Sequence, residues 1–291
     1  MPPRLLTNRT SAIIAVNTFL FTATVYWVIF FLPVYFQAVQ LDSATRAGIN
    51  VMPVSILGIP TSALAAWAIA KWGKYKIIHL FGFAFFSLGL GLFSRLDAHT
   101  PTGVWVGYMF TGPIGGGLLL NSQLPAFQAP ASEADQALAT GCWNFIRTLG
   151  SIWGVAIPAA VFSNHINGLV AAGEVTNPVA AALLVDGGAY EHASAAFIHM
   201  FPSSMEQAEI VSVYQSAIRM IFLICIAFSG FSFILCLFEK DVELRTELVT
   251  DYGLKSEKEA AAHEIKSQDP EAAMQRRKTK DRSETRSHPT E

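Results

Sequence analysis

Charge is what this sequence has least of. Asp, Glu, Lys and Arg make up 14% of its 291 residues, against about 25% in an ordinary soluble domain. The shortage is sharper than that figure, because residues 239–291 hold 24 of the 42 charged side chains. The 238 residues before them are too poor in charge to cover the surface of a water-soluble globule. This argues against a soluble enzyme, a nucleic-acid binder and a disordered chain at once. Cysteine is scarce as well. Cys142, Cys225 and Cys236 all fall in apolar runs, so no disulfide framework is readable. Neither Cys nor His recurs at metal-ligand spacing, and neither a metal nor another cofactor is expected.

What the sequence has in abundance is apolar length; 52% of its residues are hydrophobic. A spanning helix needs about 20 mostly apolar residues to cross roughly 30 Å of hydrocarbon. Six runs qualify, at 11–36, 47–70, 77–94, 105–127, 137–162 and 220–238. Backbone groups in lipid must be satisfied within the segment, so all six are expected to be helices. The expected fold is all-α, a six-helix transmembrane bundle over 11–238, with the lipid bilayer as its first partner. The third run is short and contains His79. The Ala-rich stretch 178–197 is not a seventh span, because Asp186, Gly187, Gly188, Glu191 and His192 interrupt it. The first run is far longer than the core of a cleavable signal peptide and is expected to remain as an anchor.

Lys and Arg in the connections set the orientation. With residues 1–10 in the cytosol, the inner segments carry Arg4, Arg9, Lys71, Lys74, Lys76 and the basic residues of the tail. The outer ones carry only Arg46, Arg95 and Arg219. Six spans then put both ends inside, with a long outer loop at about 163–218 and a charged, largely disordered cytosolic tail at 239–291. A short surface helix is expected in the Ala-rich part of the loop. The triplet Asn8-Arg9-Thr10 matches a glycosylation acceptor, but it faces the cytosol and is expected to stay bare.

No Asp or Glu lies inside any of the six runs, which argues against an intramembrane aspartyl protease and against a pump with a buried carboxylate. No Ser/His/Asp constellation, phosphate loop or zincin pair appears, so no enzymatic activity is expected. Arg147 is the one strong charge at membrane depth. A cation at the centre of a span costs at least about 2.5–3.5 kcal/mol unless it finds water or partners. At about 100° per residue, Thr140, Asn144, Arg147 and Ser151 form one polar stripe, and Phe145, Leu149, Ile152 and Trp153 lie away from it. Two readings stand: a stripe that faces a water-filled cavity or the rest of the bundle, and a structural arginine bonded to neighbouring carbonyls. In the fourth run Gly112 and Gly116 share a face, as do Gly150 and Gly154 in the fifth, a spacing that lets helix backbones approach. Tyr26, Gln37, Asn50 and Tyr108 read more readily as helix–helix hydrogen bonds or interface anchors than as ligand contacts.

Several stretches resemble one family when taken together. Residues 3–10 (PRLLTNRT) lead into Phe30-Phe31-Leu32-Pro33-Val34-Tyr35-Phe36-Gln37. Lys71-Trp72-Gly73-Lys74-Tyr75-Lys76 joins the second and third runs. The fifth reads Ala139-Thr140-Gly141-Cys142-Trp143-Asn144-Phe145-Ile146-Arg147-Thr148-Leu149-Gly150, and Tyr214-Gln215-Ser216-Ala217-Ile218-Arg219 enters the last. In order and spacing this set resembles the C-terminal six helices of a fungal major facilitator superfamily transporter of the fourteen-span drug:proton antiporter type.

The resemblance implies a multi-pass carrier, expected in the plasma membrane, that exports drugs, toxins or secondary metabolites by alternating access with proton coupling. It implies a small amphipathic substrate and no nucleic acid. Tyr26, Asn50, Asn121, Gln123, Asn144 and Arg147 become candidates for the substrate pathway. Gly73, Lys74, Tyr75 and Lys76 become candidates for a cytosolic gating loop. Two bundles are needed for alternating access, and six helices supply one. The sequence is therefore expected to need a separately encoded first half or a second copy of itself, or else to be a truncated remnant, and to export nothing alone. The alternative is a transport-inactive fragment or a structural or regulatory partner of a complete carrier.

Overall fold

The six apolar runs form six long helices, as the need to satisfy every backbone group in lipid dictates. The computed structural model describes residues 5–242, and these contain no strand. The membrane-length helices are α1 (Arg9–Val34), α2 (Ala44–Trp72), α3 (Tyr75–Phe93), α4 (Thr102–Gln128), α5 (Gln136–Ala171) and, after three short helices, α9 (Ser204–Leu237). The short ones are α6 (Pro178–Leu184), α7 (Gly188–Glu191) and α8 (Ala195–Ile198). Of the stretch 163–218, only residues 172–203 lie between two long helices, because α5 and α9 continue as helix past their most apolar segments. From residue 243 onward the expected tail lies outside the described residues.

Local chemistry explains where the helices start and stop. The Asn8 side chain accepts from the Thr10 N–H at 3.4 Å, and Ser43 Oγ accepts from the Arg46 N–H at 3.3 Å. Both oxygens satisfy amides that the first helical turn leaves unpaired. Gly73 ends α2 in the left-handed region at φ +65, and its N–H returns to the Ile69 carbonyl at 2.8 Å. Glycine suits that conformation, which lets α3 begin two residues later. Pro33 falls near the end of α1, and the chain then runs through a π-helical turn, Tyr35–Val39.

Six helices alternate in direction. Trp143 meets Thr18, Gly150 meets Phe19, Gly154 meets Ala23, and Phe162 meets Phe31, so α5 runs parallel to α1. On α9, Cys225 approaches Thr24 and Cys236 approaches Asn17, so α9 runs against α1. The Ser87 and Ser229 hydroxyls, 2.6 Å apart, join α3 to α9 in the same antiparallel sense. α3 packs against α4 and α9, α9 also packs against α1 and α5, and α4 lies between α3 and α2. α1 is the most buried of the six and α2 the least.

Backbone contact, rather than interlocking side chains, holds several of these pairs. A side chain at Gly150 would meet the Phe19 carbonyl at 2.6 Å, and one at Gly154 the Ala23 carbonyl at 2.7 Å. On α4 the closest approaches are at Gly115, against Gly82 and Phe86 of α3, and at Gly117, against Thr61 of α2. Gly112 and Gly116 have ordinary clearance, 3.7 and 3.6 Å, although Gly112 is the backbone against which any side chain at Gly89 would collide. The outer surface is apolar. α2 alone exposes Ile49, Met52, Ile56, Ile59, Leu64 and Trp67. In water such a patch would drive association; against lipid it is the expected coat.

Candidate substrate face and polar end of the bundle

α5 places its residues in three zones. Cys142, Trp143, Ile146, Gly150 and Gly154 are buried, the last two directly against α1. Phe145, Leu149 and Ile152 are exposed and apolar. Between these zones runs a stripe with Asn144, Arg147 and Thr148 exposed and Ser151 half-buried. The Thr148 hydroxyl donates to the Asn144 carbonyl at 2.9 Å, and Ser151 donates to the Thr148 carbonyl at 2.7 Å. Both hydroxyls are thereby spent on the helix itself.

Arg147 is not. Its guanidinium stands 5.3 Å from the Trp143 ring centroid, within range of a cation–π contact. Trp143 is anchored in turn by an N–H donated to Thr18 Oγ1 on α1 at 3.1 Å. Among the described residues no carboxylate and no carbonyl accepts a hydrogen bond from Arg147. Carbonyl bonding, one of the two sequence readings, is absent there. Arg147 is exposed, and the five N–H donors of its fork have no acceptor among the described residues.

The other pathway candidates are distributed more widely. Tyr26 on α1 is half-buried beside Gly154 of α5 and 6.2 Å from Phe30. Asn121 on α4 is exposed and donates to the Ser62 carbonyl of α2 at 3.2 Å. Gln123 is buried, and its Nε2 has no hydrogen-bond partner among the described residues. Asn50 sits apart, donating to Asp42 Oδ2 at 2.8 Å near the start of α2, where Asp42 also pairs with Arg46 at 3.2 Å. A cleft of about 350 Å³ opens between α1 and residues 190–194, lined by Phe30, Pro33, Gln37, Tyr190 and Glu191. None of the six candidates lines it.

The α2–α3 connection makes contacts that no sequence pattern announces. Lys74 is exposed, but Tyr75 is fully buried. Its hydroxyl donates to the Lys240 carbonyl at 2.7 Å and accepts from the Val242 N–H at 3.1 Å. Lys76 Nζ donates to the Leu237 carbonyl at 3.2 Å, an acceptor that the end of α9 leaves open. Beneath them lies a buried polar cluster. His79 Nδ1 and Glu239 Oε2 are 2.8 Å apart, at 1% and 0% side-chain exposure. Asn17 Nδ2 donates to Glu239 Oε1 at 3.1 Å and approaches Cys236 Sγ at 3.2 Å. Glu239, expected as the first residue of the tail, thus belongs to the bundle. The sequence held only an indirect signal: Asn17, His79 and Glu239 sit at the same end of three alternating spans.

Six alternating helices of membrane length, with an apolar coat and one polar stripe, define a multi-pass membrane bundle. No protein-family model matches the chain. It is 48% identical over 88% of its length to "MFS-type transporter TwmF" of Talaromyces wortmannii, covering 47% of that protein. It is 44% identical over 89% of its length to "Efflux pump FUS6" of Gibberella fujikuroi, covering 46%. It is 41% identical over 88% of its length to "MFS-type efflux pump LUC4" of a Fusarium species, covering 45%. The chain therefore spans about half the length of these relatives, and over that half it is similar to fungal proteins named as MFS-type transporters and efflux pumps.

Proposed function

We propose that these helices form one of the two bundles of a proton-coupled exporter of small amphipathic molecules, drugs or secondary metabolites, in the plasma membrane. The stripe Asn144–Arg147–Thr148–Ser151 then faces the second bundle across the substrate pathway, with Tyr26 and Asn121 towards its edges. The carrying observation is Arg147: a guanidinium fork well inside an apolar helix, exposed on the bundle, with the Trp143 ring beside it and no hydrogen-bond acceptor among the described residues. Lipid is a poor neighbour for that group, whereas a water-filled pathway or an acidic group on a facing bundle is a good one. Transport here is a population shift between inward-open and outward-open arrangements, biased by substrate and ion binding. One bundle has nothing to rock against, so transport requires a second one facing it.

The test is drug export from a yeast strain stripped of its own pumps. The 291-residue chain alone, and the chain co-expressed with the N-terminal half of a related carrier, are compared by accumulation of a fluorescent amphipathic dye. The pair is expected to lower dye accumulation, and the chain alone to leave it at the level of empty cells. Export by the isolated chain as a monomer, or an Arg147→Ala pair that exports as well as its parent, would overturn the reading.

A further inference from the structure

The cluster beneath Tyr75 holds a donor set outside the candidate substrate face. His79, Cys236 and Glu239 are all buried, and one ligand atom from each lies within 4.8 Å of the other two. We infer that His79, Cys236 and Glu239 form a transition-metal site of the zinc class, which clamps α3 to the end of α9.

Three observations carry this. The first is distance. Donors at about 2.0–2.3 Å around a tetrahedral Zn²⁺ stand about 3.3–3.8 Å from one another. Cys236 Sγ lies 3.5 Å from Glu239 Oε1, His79 Nδ1 lies 2.8 Å from Oε2 of the same carboxylate, and all three ligand atoms fall within 4.8 Å of one another, so shifts of about an ångström bring them into that range. The second is chemistry and charge. Thiolate, imidazole and carboxylate together suit Zn²⁺ and exclude the all-oxygen preference of Mg²⁺ and Ca²⁺. A neutral imidazole, a thiolate and a carboxylate sum to two negative charges, which a divalent cation cancels. The assembly is neutral, as burial at the foot of a membrane bundle requires. Binding displaces one proton from the Cys236 thiol.

The third observation is an orphaned oxygen. Asn17 is 1% exposed and its Oδ1 has no partner among the described residues, although its Nδ2 touches both Cys236 Sγ and Glu239 Oε1. A half-turn of the amide brings Oδ1 to the position Nδ2 holds and completes a four-donor shell. No sequence spacing suggests the site, because its ligands come from three segments that only folding unites.

Metal-free full-length protein in detergent, titrated with Co²⁺ and Zn²⁺, tests the inference. One equivalent of Co²⁺ is expected to give a thiolate-to-cobalt charge-transfer band. Zn²⁺ is expected to displace it and to raise the melting temperature. Cys142→Ala/Cys225→Ala protein should keep the band and Cys236→Ser should lose it, while Asn17→Ala should weaken binding about 10–100-fold. X-ray absorption of the zinc-loaded wild type needs no variant to fold and should show one sulfur in the shell. Absence of the band in wild type, its persistence in Cys236→Ser, or a zinc shell of nitrogen and oxygen only would each overturn the site.

Discussion

His79 and Glu239 meet at 2.8 Å although 160 positions separate them in sequence. The contact fixes the start of α3 to the residue just beyond α9. Tyr75 and Lys76 reinforce it by binding the backbone of residues 237–242. Four interactions thus tie the start of α3 to residues 237–242 at and beyond the end of α9.

Coupling between His79 and Glu239 is therefore expected in a double-mutant cycle. With a chelator present, His79→Ala and Glu239→Ala should each lower stability. Their joint effect should fall short of additivity by about 0.5–3 kcal/mol, the range for residues in direct contact within one network. Unfolding in a denaturing detergent measures it; additive losses would mean that the two side chains do not act together.

The parallel contact of α1 and α5 leaves no room for a side chain at Gly154, which faces the Ala23 carbonyl and the Tyr26 side chain. Gly154→Val should sharply reduce the folded, monodisperse fraction in detergent. Gly141→Ala, on the same helix with nothing within 4 Å of the added carbon, should not, since alanine is the better helix former. Size-exclusion profiles of the two variants, at equal expression, decide it.

Arg147 makes no hydrogen bond within the described residues, so its removal should cost the bundle little. Arg147→Ala is expected to shift the melting temperature by no more than the loss of one cation–π contact, about 0.5–1 kcal/mol at an exposed site, while abolishing dye export by the two-bundle pair. A large loss of stability would instead assign the residue a structural role.

How much of this was legible in the sequence follows from what each feature depends on. The six long helices were readable because span length and apolarity are local properties. The short helix in the Ala-rich loop was readable for a similar reason: Asn177 and Pro178 start it, and Asn177 Oδ1 accepts from the Val179 and Ala180 N–H groups at 2.9 and 3.1 Å. Helix ends past the membrane were not, since α5 and α9 continue once polarity no longer argues for a span. Asn144, Arg147 and Ser151 could be placed on one polar stripe of α5 from helical period alone; Thr148 was not among them, and the stripe's position between a buried and a greasy zone needed α1 in place. Glu239 escaped detection altogether. It opens a run of charged residues and looks solvated until Asn17 and His79 are brought beside it. The closest glycine approaches, at Gly115 and Gly117 rather than Gly116, depend on the register of α4 against α3 and α2, which no single segment encodes.

Orientation is the property from which the gating-loop, stripe and tail assignments all take their meaning. A glycosylation acceptor inserted at Glu191 should be used in yeast, while the natural Asn8-Arg9-Thr10 triplet, whose Asn8 also caps α1, should remain bare. An endoglycosidase-dependent mobility shift reads both.

Six crossings with both ends on one side are tested most directly by cysteine labelling in intact cells. Cys142, Cys225 and Cys236 are buried, so an added surface cysteine dominates the signal. Lys74→Cys, His99→Cys, Ala134→Cys and Glu191→Cys each replace an exposed residue in a different connection. With a membrane-impermeant maleimide, His99→Cys and Glu191→Cys should label in intact cells, and Lys74→Cys and Ala134→Cys only after permeabilisation. Labelling of Lys74→Cys or Ala134→Cys from outside, or of all four alike, would contradict a bundle of six alternating spans with its ends in the cytosol.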